Sequence, residues 1–343
     1  MGGRKLTILL ILLLCRLGCV LGGEPKRFEF QQVQMGTLFR IVIYSADPES
    51  AQDASRAAFR RIEQLEGIFS DYREDSELNS ACRTAVHRGV VVSRDLYCVM
   101  EKSLYFSRLT KGAFDITLKP LADLWKAGRK DRRLPAVEEI EKLRTRVGYR
   151  YLLLNSRLRS LKLNREDIRI DLGGIAKGYT ADEVLVLLED RGISSVLVDA
   201  GGDLRMGDPP PGKPGWMIED AESAAGSGSC WILRNCAVAT SGDRYQFIEI
   251  GGIRYSHIVD PATGFGVVGP RSATVIAPDA TTADALATAF CVLSVEEIIE
   301  ITGKIPAVSA RIIRGNPAAD SESRFLVRTT CGFPDPARPG IQP

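Results

Sequence analysis

Residues 168–203 run IRIDLGGIAKGYTADEVLVLLEDRGISSVLVDAGGD, and the fold turns on how this stretch is read. Residues 168–172 alternate apolar and polar, which predicts a short strand. Gly173 and Gly174 follow. Beyond Tyr179 the residues Ala181, Val184, Leu185 and Leu188 share one face of a helix. Gly192 stands where a helix C-cap would. A second apolar strand, 196–198, ends in Asp199, Ala200, Gly201, Gly202 and Asp203. Each strand therefore delivers an acid and a glycine pair to one helical unit. Glycines let a ligand approach the backbone, and a helix start favours phosphate. The pattern suits a nucleotide cradle without a Walker lysine loop or a G-x-G-x-x-G. Two tight turns around an ordinary strand–helix–strand unit fit the same residues.

The chain has 343 residues, 45% hydrophobic and 26% charged, enough for a substantial core. A formal net charge of +2 gives no pull toward nucleic acid. With only two histidines, His87 and His257, and no C-x-x-C, a zinc site of the usual kind is not expected. Arg4 and Lys5 precede an apolar run over 6–14, the layout of a secretory signal over residues 1–23. A membrane anchor is the alternative, although Arg16 leaves the run short for a span. Cys19, after Leu17 and Gly18, marks a candidate lipid anchor. Export to the periplasm or the outer face of the cell membrane is the expectation. An oxidising compartment permits disulfides, and Cys230–Cys236 is the nearest pair in the mature chain.

Along the chain, 28–45 predicts two strands about a turn at Met35, Gly36 and Thr37. Helices are predicted over 51–68, 94–109 and 137–147, and a hairpin over 151–163. Residues 69–79 are polar and turn-like after Phe69, and 129–135 forms a charged linker. Residues 222–229 form a loop. Strands are predicted at 216–219, 230–233, 237–240, 255–259, 272–277 and 325–330, with a strand pair across Gly251 and Gly252. The end, from about residue 332, is expected as a disordered tail. Strands and helices come in runs, so the expected class is α+β, mixed or antiparallel sheets with flanking helices.

Residues 280–295 predict a helix with one charged residue, Asp284. Thr288 lies four residues on and shares its face, floored by Ala287 and Cys291. A carboxylate on so apolar a helix needs compensation. A capping box, Thr281 with Asp284, would supply it. So would a hard cation held by the carboxylate, the Thr288 hydroxyl and a backbone carbonyl, and Mg²⁺ suits such oxygens.

These blocks occur in an order that resembles the FAD:protein FMN transferases, the ApbE family of flavin transferases. The resemblance spans roughly residues 28–303. It is carried by Met35-Gly36-Thr37, by Phe69 to Tyr72 with Ser76 and Glu77, and by 112–117, 170–178 and 198–203. Ala239 to Gly242, Ser256 to Pro261 and 281–288 complete it. It implies a T-fold-like α+β domain over 24–331. It also implies a reaction: FAD binds with Mg²⁺, its pyrophosphate is split, FMN passes to a threonine hydroxyl of an acceptor protein, and AMP leaves. The acceptor would be a flavoprotein such as a subunit of a membrane redox complex. Some exported relatives instead hydrolyse FAD to FMN and AMP. A flavin-binding protein without catalysis and a membrane-tethered interaction module are further alternatives.

By matching position, the resemblance implies flavin and adenine contacts at Met35, Tyr72, Ala113, Phe114, Asp115, Asp171, Lys177 and Ile258. It implies a metal held by Asp284, Thr288 and the backbone oxygen of Gly174. Asp284 and His257 are the candidate catalytic residues, His257 as a base for the acceptor hydroxyl or a flavin contact. Plainer roles fit the same residues. Met35 suits a strand, Tyr72 a loop aromatic on the core, Phe114 packing and Asp115 a cap. Asp171 suits a local pair with Arg169 or Lys177, Lys177 a solvated helix position, and His257 a structural one. Asp243 and Asp260 suit turns.

Overall fold

The computed structural model describes residues 23–220, 229–243, 246–315 and 325–337. The signal segment, Cys19, most of the 222–229 loop and the last six residues lie outside them.

The chain opens with a hairpin, β1 (Lys26–Gln34) and β2 (Thr37–Ser45), joined through Met35 and Gly36, both at positive φ. Two successive residues of this kind match the right-handed twist of the flanking strands. α1 (Pro48–Phe69) starts where Asp47 accepts the N–H of Glu49 and Pro48 opens the first turn. Its Ala51, Ala58, Ile62, Leu65 and Phe69 are buried. Next come α2 (Glu77–Ala85), the short β3 (Val90–Val91) and α3 (Arg94–Leu109). α4 (Lys119–Asp131) and α5 (Val137–Arg144) lead to the hairpin β4 (Leu152–Asn155) and β5 (Ser160–Leu163). α6 (Ala176–Glu189) feeds β6 (Val196–Ala200) and β7 (Leu204–Met206), then the hairpin β8 (Trp216–Glu219) and β9 (Cys230–Leu233). β10 (Ala237–Gly242), β11 (Phe247–Ile250), β12 (Ile253–Val259), β13 (Gly266–Val268) and β14 (Arg271–Ala277) precede α7 (Ala280–Phe290). α8 (Val295–Thr302), β15 (Ser309–Gly315) and β16 (Phe325–Thr329) finish the domain.

The class is α+β. Eight strands form one sheet in the order β1-β2-β6-β7-β10-β14-β15-β16, and each strand pairs antiparallel with its neighbours. α1, α6 and α7 cover one face, where Phe39, Ile41, Val198, Ala239 and Val275 meet Leu286 and Phe290 in the main core. The hairpin β8–β9 covers part of the other face, with Trp216 and Trp231 over Val42, Leu197 and Val238. α4 and α5 pack on the small sheet β11–β12–β13 around Trp125, whose Nε1–H donates to the Gly264 carbonyl at 2.9 Å.

Several expectations change. Residues 168–172 bury Ile168, Ile170 and Leu172 as alternation requires, yet they join no sheet. The segment is held instead by the Asp171 N–H to the Ile116 carbonyl at 2.7 Å. Alternation reports which side is buried, and says nothing about a neighbouring strand. The linker at 129–135 begins inside α4, which Arg132 ends at φ 51°. The turn-like stretch 69–79 runs into α2, started by Ser76 accepting the Asn79 N–H at 3.1 Å. α8 and β15 were not anticipated. The described cysteines are all free thiols, Cys230 and Cys236 included. The expected tail is placed as far as Ala337, which bridges back to Cys230.

Candidate active site

α6 and α7 pack as an antiparallel pair, and their contacts step along both helices four residues at a time. Gly174, just before α6, lies against Thr288: a Cβ at Gly174 would sit 3.0 Å from the Thr288 hydroxyl oxygen and 3.3 Å from the Phe114 ring. One turn along α6, Gly178 meets Asp284. Its N–H donates to Asp284 Oδ2 at 3.1 Å, and a Cβ there would sit on the Ala280 carbonyl and 2.9 Å from Asp284 Cβ. Only glycine permits this approach. Another turn along, Asp182 accepts the N–H groups of Ala280 and Thr281 at 2.8 and 2.9 Å. Each helix thus supplies a carboxylate to the first turn of the other.

Asp284 is only 2% exposed, and the Gly178 N–H is its one hydrogen bond among the described residues. Burial pushes its pKa up to about 7; Lys177 pulls it down and Asp203 pushes it up. Lys177 forms an ion pair with Asp203, not a solvated helix position. Burial works against its ammonium, but Asp203 and Asp284 outweigh that and raise its pKa. Two carboxyl groups face one ammonium here, so the pocket carries a negative surplus once Asp284 ionises. The capping-box alternative for Asp284 fails, because Asp279 is the N-cap of α7 and accepts the Thr282 N–H at 2.9 Å. Thr281 turns its hydroxyl to Asp182 instead.

An under-bonded buried carboxylate, a hydroxyl and a close-lying glycine backbone make an all-oxygen donor set. That set fits a hard cation such as Mg²⁺. Among the described residues no three His, Cys, Asp or Glu side chains are grouped to hold a metal, so one here would draw on neutral oxygens besides Asp284.

A second cluster adjoins the first through Asp171, whose Oδ1 accepts the Gly173 N–H at 2.7 Å. Neither local partner expected for Asp171 is taken: Arg169 pairs with Asp123, and Lys177 with Asp203. Burial raises the Asp171 pKa; the Gly173 N–H opposes this and nearby Asp71 adds to it. Lys119 bridges Asp71 at 2.6 Å and Asp123 at 3.2 Å. Above them Tyr72 is 76% exposed, with the Lys119 and Lys126 ammonium groups 5.4 and 4.8 Å from its ring centre. It is therefore no core aromatic. An exposed ring flanked by cations offers a stacking platform for a planar heterocycle.

Met35 sits half-buried at the β1–β2 turn, its sulfur 3.5 Å from the Thr180 hydroxyl of α6. Phe114 is buried edge-on to Phe106 beneath Gly174, and half-buried Ala113 packs on the same core. Asp115 is a cap: it accepts from the Thr117 N–H and hydroxyl at 2.8 and 2.6 Å and from the Tyr149 N–H at 2.8 Å. Burial raises its pKa against those donors. Ile258 and His257 stand on β12, in the small sheet. His257 Nδ1 lies 3.1 Å from the Gln246 carbonyl, so Nδ1 carries the hydrogen and Nε2 the lone pair. Burial lowers the His257 pKa; the Gln246 carbonyl opposes this and Arg129 reinforces it. No hydrogen bond joins His257 to the α6–α7 pair among the described residues. The link is β10, whose Ser241 hydroxyl lies 3.4 Å from that of Thr288. Two residues on, Asp243 grips Arg254 of β12 at 2.9 Å and the Arg271 N–H at 3.0 Å. Asp243 is thus a buried brace, whereas Asp260 is the turn residue expected, accepting from Ala262 and Thr263.

Sequence reasoning missed Asp182, Lys119 and the roles of Ser241 and Asp203. Asp203 stood beside a motif glycine pair and Ser241 within the 239–242 block; Asp182 and Lys119 carry no local signal.

The profile of the ApbE family matches residues 35–312. A Treponema pallidum protein named FAD:protein FMN transferase is 32% identical, covering 89% of this chain and 89% of its own. The Vibrio cholerae flavin transferase ApbE structure superposes with a TM-score of 0.77 at 26% identity, over 90% of this chain and 98% of that one. The Thermotoga maritima ApbE protein gives 0.75 at 30% identity, over 89% and 97%.

Proposed function

The chain belongs to the ApbE family, and on that membership and the α6–α7 seam we propose that it is a transferase moving FMN from FAD onto a threonine hydroxyl of an acceptor protein, with AMP as the other product. The observation that carries the reading is Asp284: a buried carboxylate with one hydrogen bond among the described residues, one helical turn from the Thr288 hydroxyl that lies against Gly174.

In this reading Asp284, Thr288 and the Gly174 backbone oxygen hold Mg²⁺. The bound ion would neutralise the FAD pyrophosphate and orient it for in-line displacement. Lys177 adds a positive charge beside it, while Tyr72, Met35, Ala113, Phe114, Asp171 and Ile258 shape the flavin and adenine pockets. Asp115 serves by fixing the loop that carries Ala113 and Phe114. The acceptor hydroxyl oxygen bonds to the FMN phosphorus, and the bond from that phosphorus to the bridging oxygen breaks. The bridging oxygen leaves on AMP. The hydroxyl proton passes to Nε2 of His257, kept free by the Nδ1 hydrogen bond to Gln246. The leader and Cys19 fit an exported enzyme, periplasmic or lipid-anchored, acting on a subunit of a membrane redox complex.

Incubation with FAD, Mg²⁺ and a threonine-bearing acceptor domain should give a fluorescent acceptor band whose mass rises by one FMN phosphoryl ester, together with AMP. Free FMN and AMP with an unlabelled acceptor would instead make it an FAD pyrophosphatase. Intact FAD after prolonged incubation would leave only a binding protein.

A further inference from the structure

We propose that Asp182 is a positioning residue that sets the register of α7 on α6 and so holds Asp284 and Thr288 at the metal site; this rests on the metal reading above. Asp182 lies mid-helix in α6, yet none of its side-chain hydrogen bonds among the described residues is to its own helix. Its Oδ1 takes the Ala280 N–H at 2.8 Å, and its Oδ2 takes the Thr281 N–H at 2.9 Å and the Thr281 hydroxyl at 2.6 Å. Arg205 Nε adds an ion pair to Oδ1 at 3.0 Å. Both oxygens are engaged, so a direct role in binding ligand is excluded. A capping role alone does not explain it either, because α7 already has Asp279 as its own N-cap. What the cross-helix contact adds is axial position.

The three rungs share one spacing. Asp182 with Ala280, Gly178 with Asp284 and Gly174 with Thr288 each stand four residues apart on both helices. Fixing the first rung fixes the other two. A one-residue slip would move a side chain about 1.5 Å along the axis and about 100° around it. Metal ligation tolerates only about 0.2 Å. Gly178 lets the helices close, but it prevents no sliding; the paired N–H bonds at Asp182 do.

Arg61 provides the control. It anchors the neighbouring Glu183 of α6 at 2.6 Å and Asp95 of α3 at 2.6 Å, and makes no hydrogen bond or ion pair to α7 among the described residues. Removing it loosens α6 without releasing the register.

The test uses the full chain and Mg²⁺ alone, read as the metal-induced rise in melting temperature and by calorimetric titration. Asp182→Asn replaces one acceptor by a donor facing an N–H. It should raise the half-saturating Mg²⁺ about tenfold or more, while metal-free quenching of FAD fluorescence and the circular dichroism spectrum stay as in the parent. Arg61→Gln should lower the melting temperature and leave the Mg²⁺ half-saturation unchanged. If Asp182→Asn does not fold, Thr281→Val removes only the 2.6 Å bond and should weaken Mg²⁺ about two- to fivefold. Parent-like Mg²⁺ binding by the folded variant, or equal weakening in Arg61→Gln, overturns the proposal alone. A parent protein that ignores Mg²⁺ altogether overturns the metal reading and this proposal with it.

Discussion

Asp284 Oδ2 accepts the backbone N–H of Gly178 at 3.1 Å, so the carboxylate of one buried helix caps the first turn of its neighbour. The bond ties a candidate metal ligand to the stability of the protein without metal. Burial raises the folded pKa of Asp284 from 3.8 to about 7. A raised acid pKa means that the folded state holds a proton which the unfolded state has lost. Its stabilising contribution is complete below about pH 3.8 and is lost as pH rises toward 7. Each unit is worth about 1.4 kcal/mol. In Asp284→Asn the metal-free protein should therefore lose less stability between pH 4 and pH 7 than the parent, as read by melting temperature across that range. The same variant should lose any rise on adding Mg²⁺ and about 10²-fold or more of its transfer rate. A parent-like pH slope in the variant would show that Asp284 is not the group titrating.

Gly178→Ala tests the closeness of the helix pair directly. The added methyl would meet the Ala280 carbonyl and Asp284 Cβ, both backed by packed helix. Overpacking of this kind costs about 1–3 kcal/mol. Urea unfolding should show that loss, and Mg²⁺ titration should show weakened binding, since the Asp284 rung must move. Gly67 is the comparison: a Cβ there meets nothing within 4 Å, and alanine in α1 should be neutral or stabilising.

Asp284 was legible because a lone charge on an apolar helix must be compensated, and the sequence shows both the charge and the apolar surround. α3 was legible to its ends because Ser93 caps it and its buried residues recur at helical spacing. Asp182 was not. In a helix an Asp beside a Glu looks like any solvated face, and its partner Ala280 is 98 residues away. The ion pair of Lys177 with Asp203 is hidden in the same way, 26 residues apart across a helix and a strand. α4 was obscured by its own charges: Arg129 and Lys130 read as linker, although in the last turn they complement the helix dipole.

Tyr72→Ala separates the stacking platform from the fold. The ring is 76% exposed and stands between two ammonium groups, so its removal should leave the melting temperature nearly unchanged. Stacking of a base on an aromatic side chain is worth about 1–3 kcal/mol, or roughly 5- to 150-fold in Kd. FAD affinity by fluorescence quenching should fall within that span, and Tyr72→Phe should recover most of it. Unaltered affinity in the alanine variant would place the flavin and adenine elsewhere.

His257 is the test of proton transfer. Burial, aided by Arg129 and opposed by the Gln246 carbonyl, lowers its pKa below 6.5, so the imidazole is neutral at pH 7 with Nε2 unprotonated. A base with a lowered pKa is lost only when pH falls through that lowered value. The acid limb of kcat/KM for transfer should therefore lie below pH 6.5 in the parent. His257→Gln should cost about 10²- to 10⁴-fold in kcat and leave FAD and Mg²⁺ binding close to parental. The deficit should shrink as pH rises, because hydroxide increasingly takes the proton that the imidazole no longer accepts. A variant that keeps the parent pH profile would reduce His257 to a brace of β12 against Gln246.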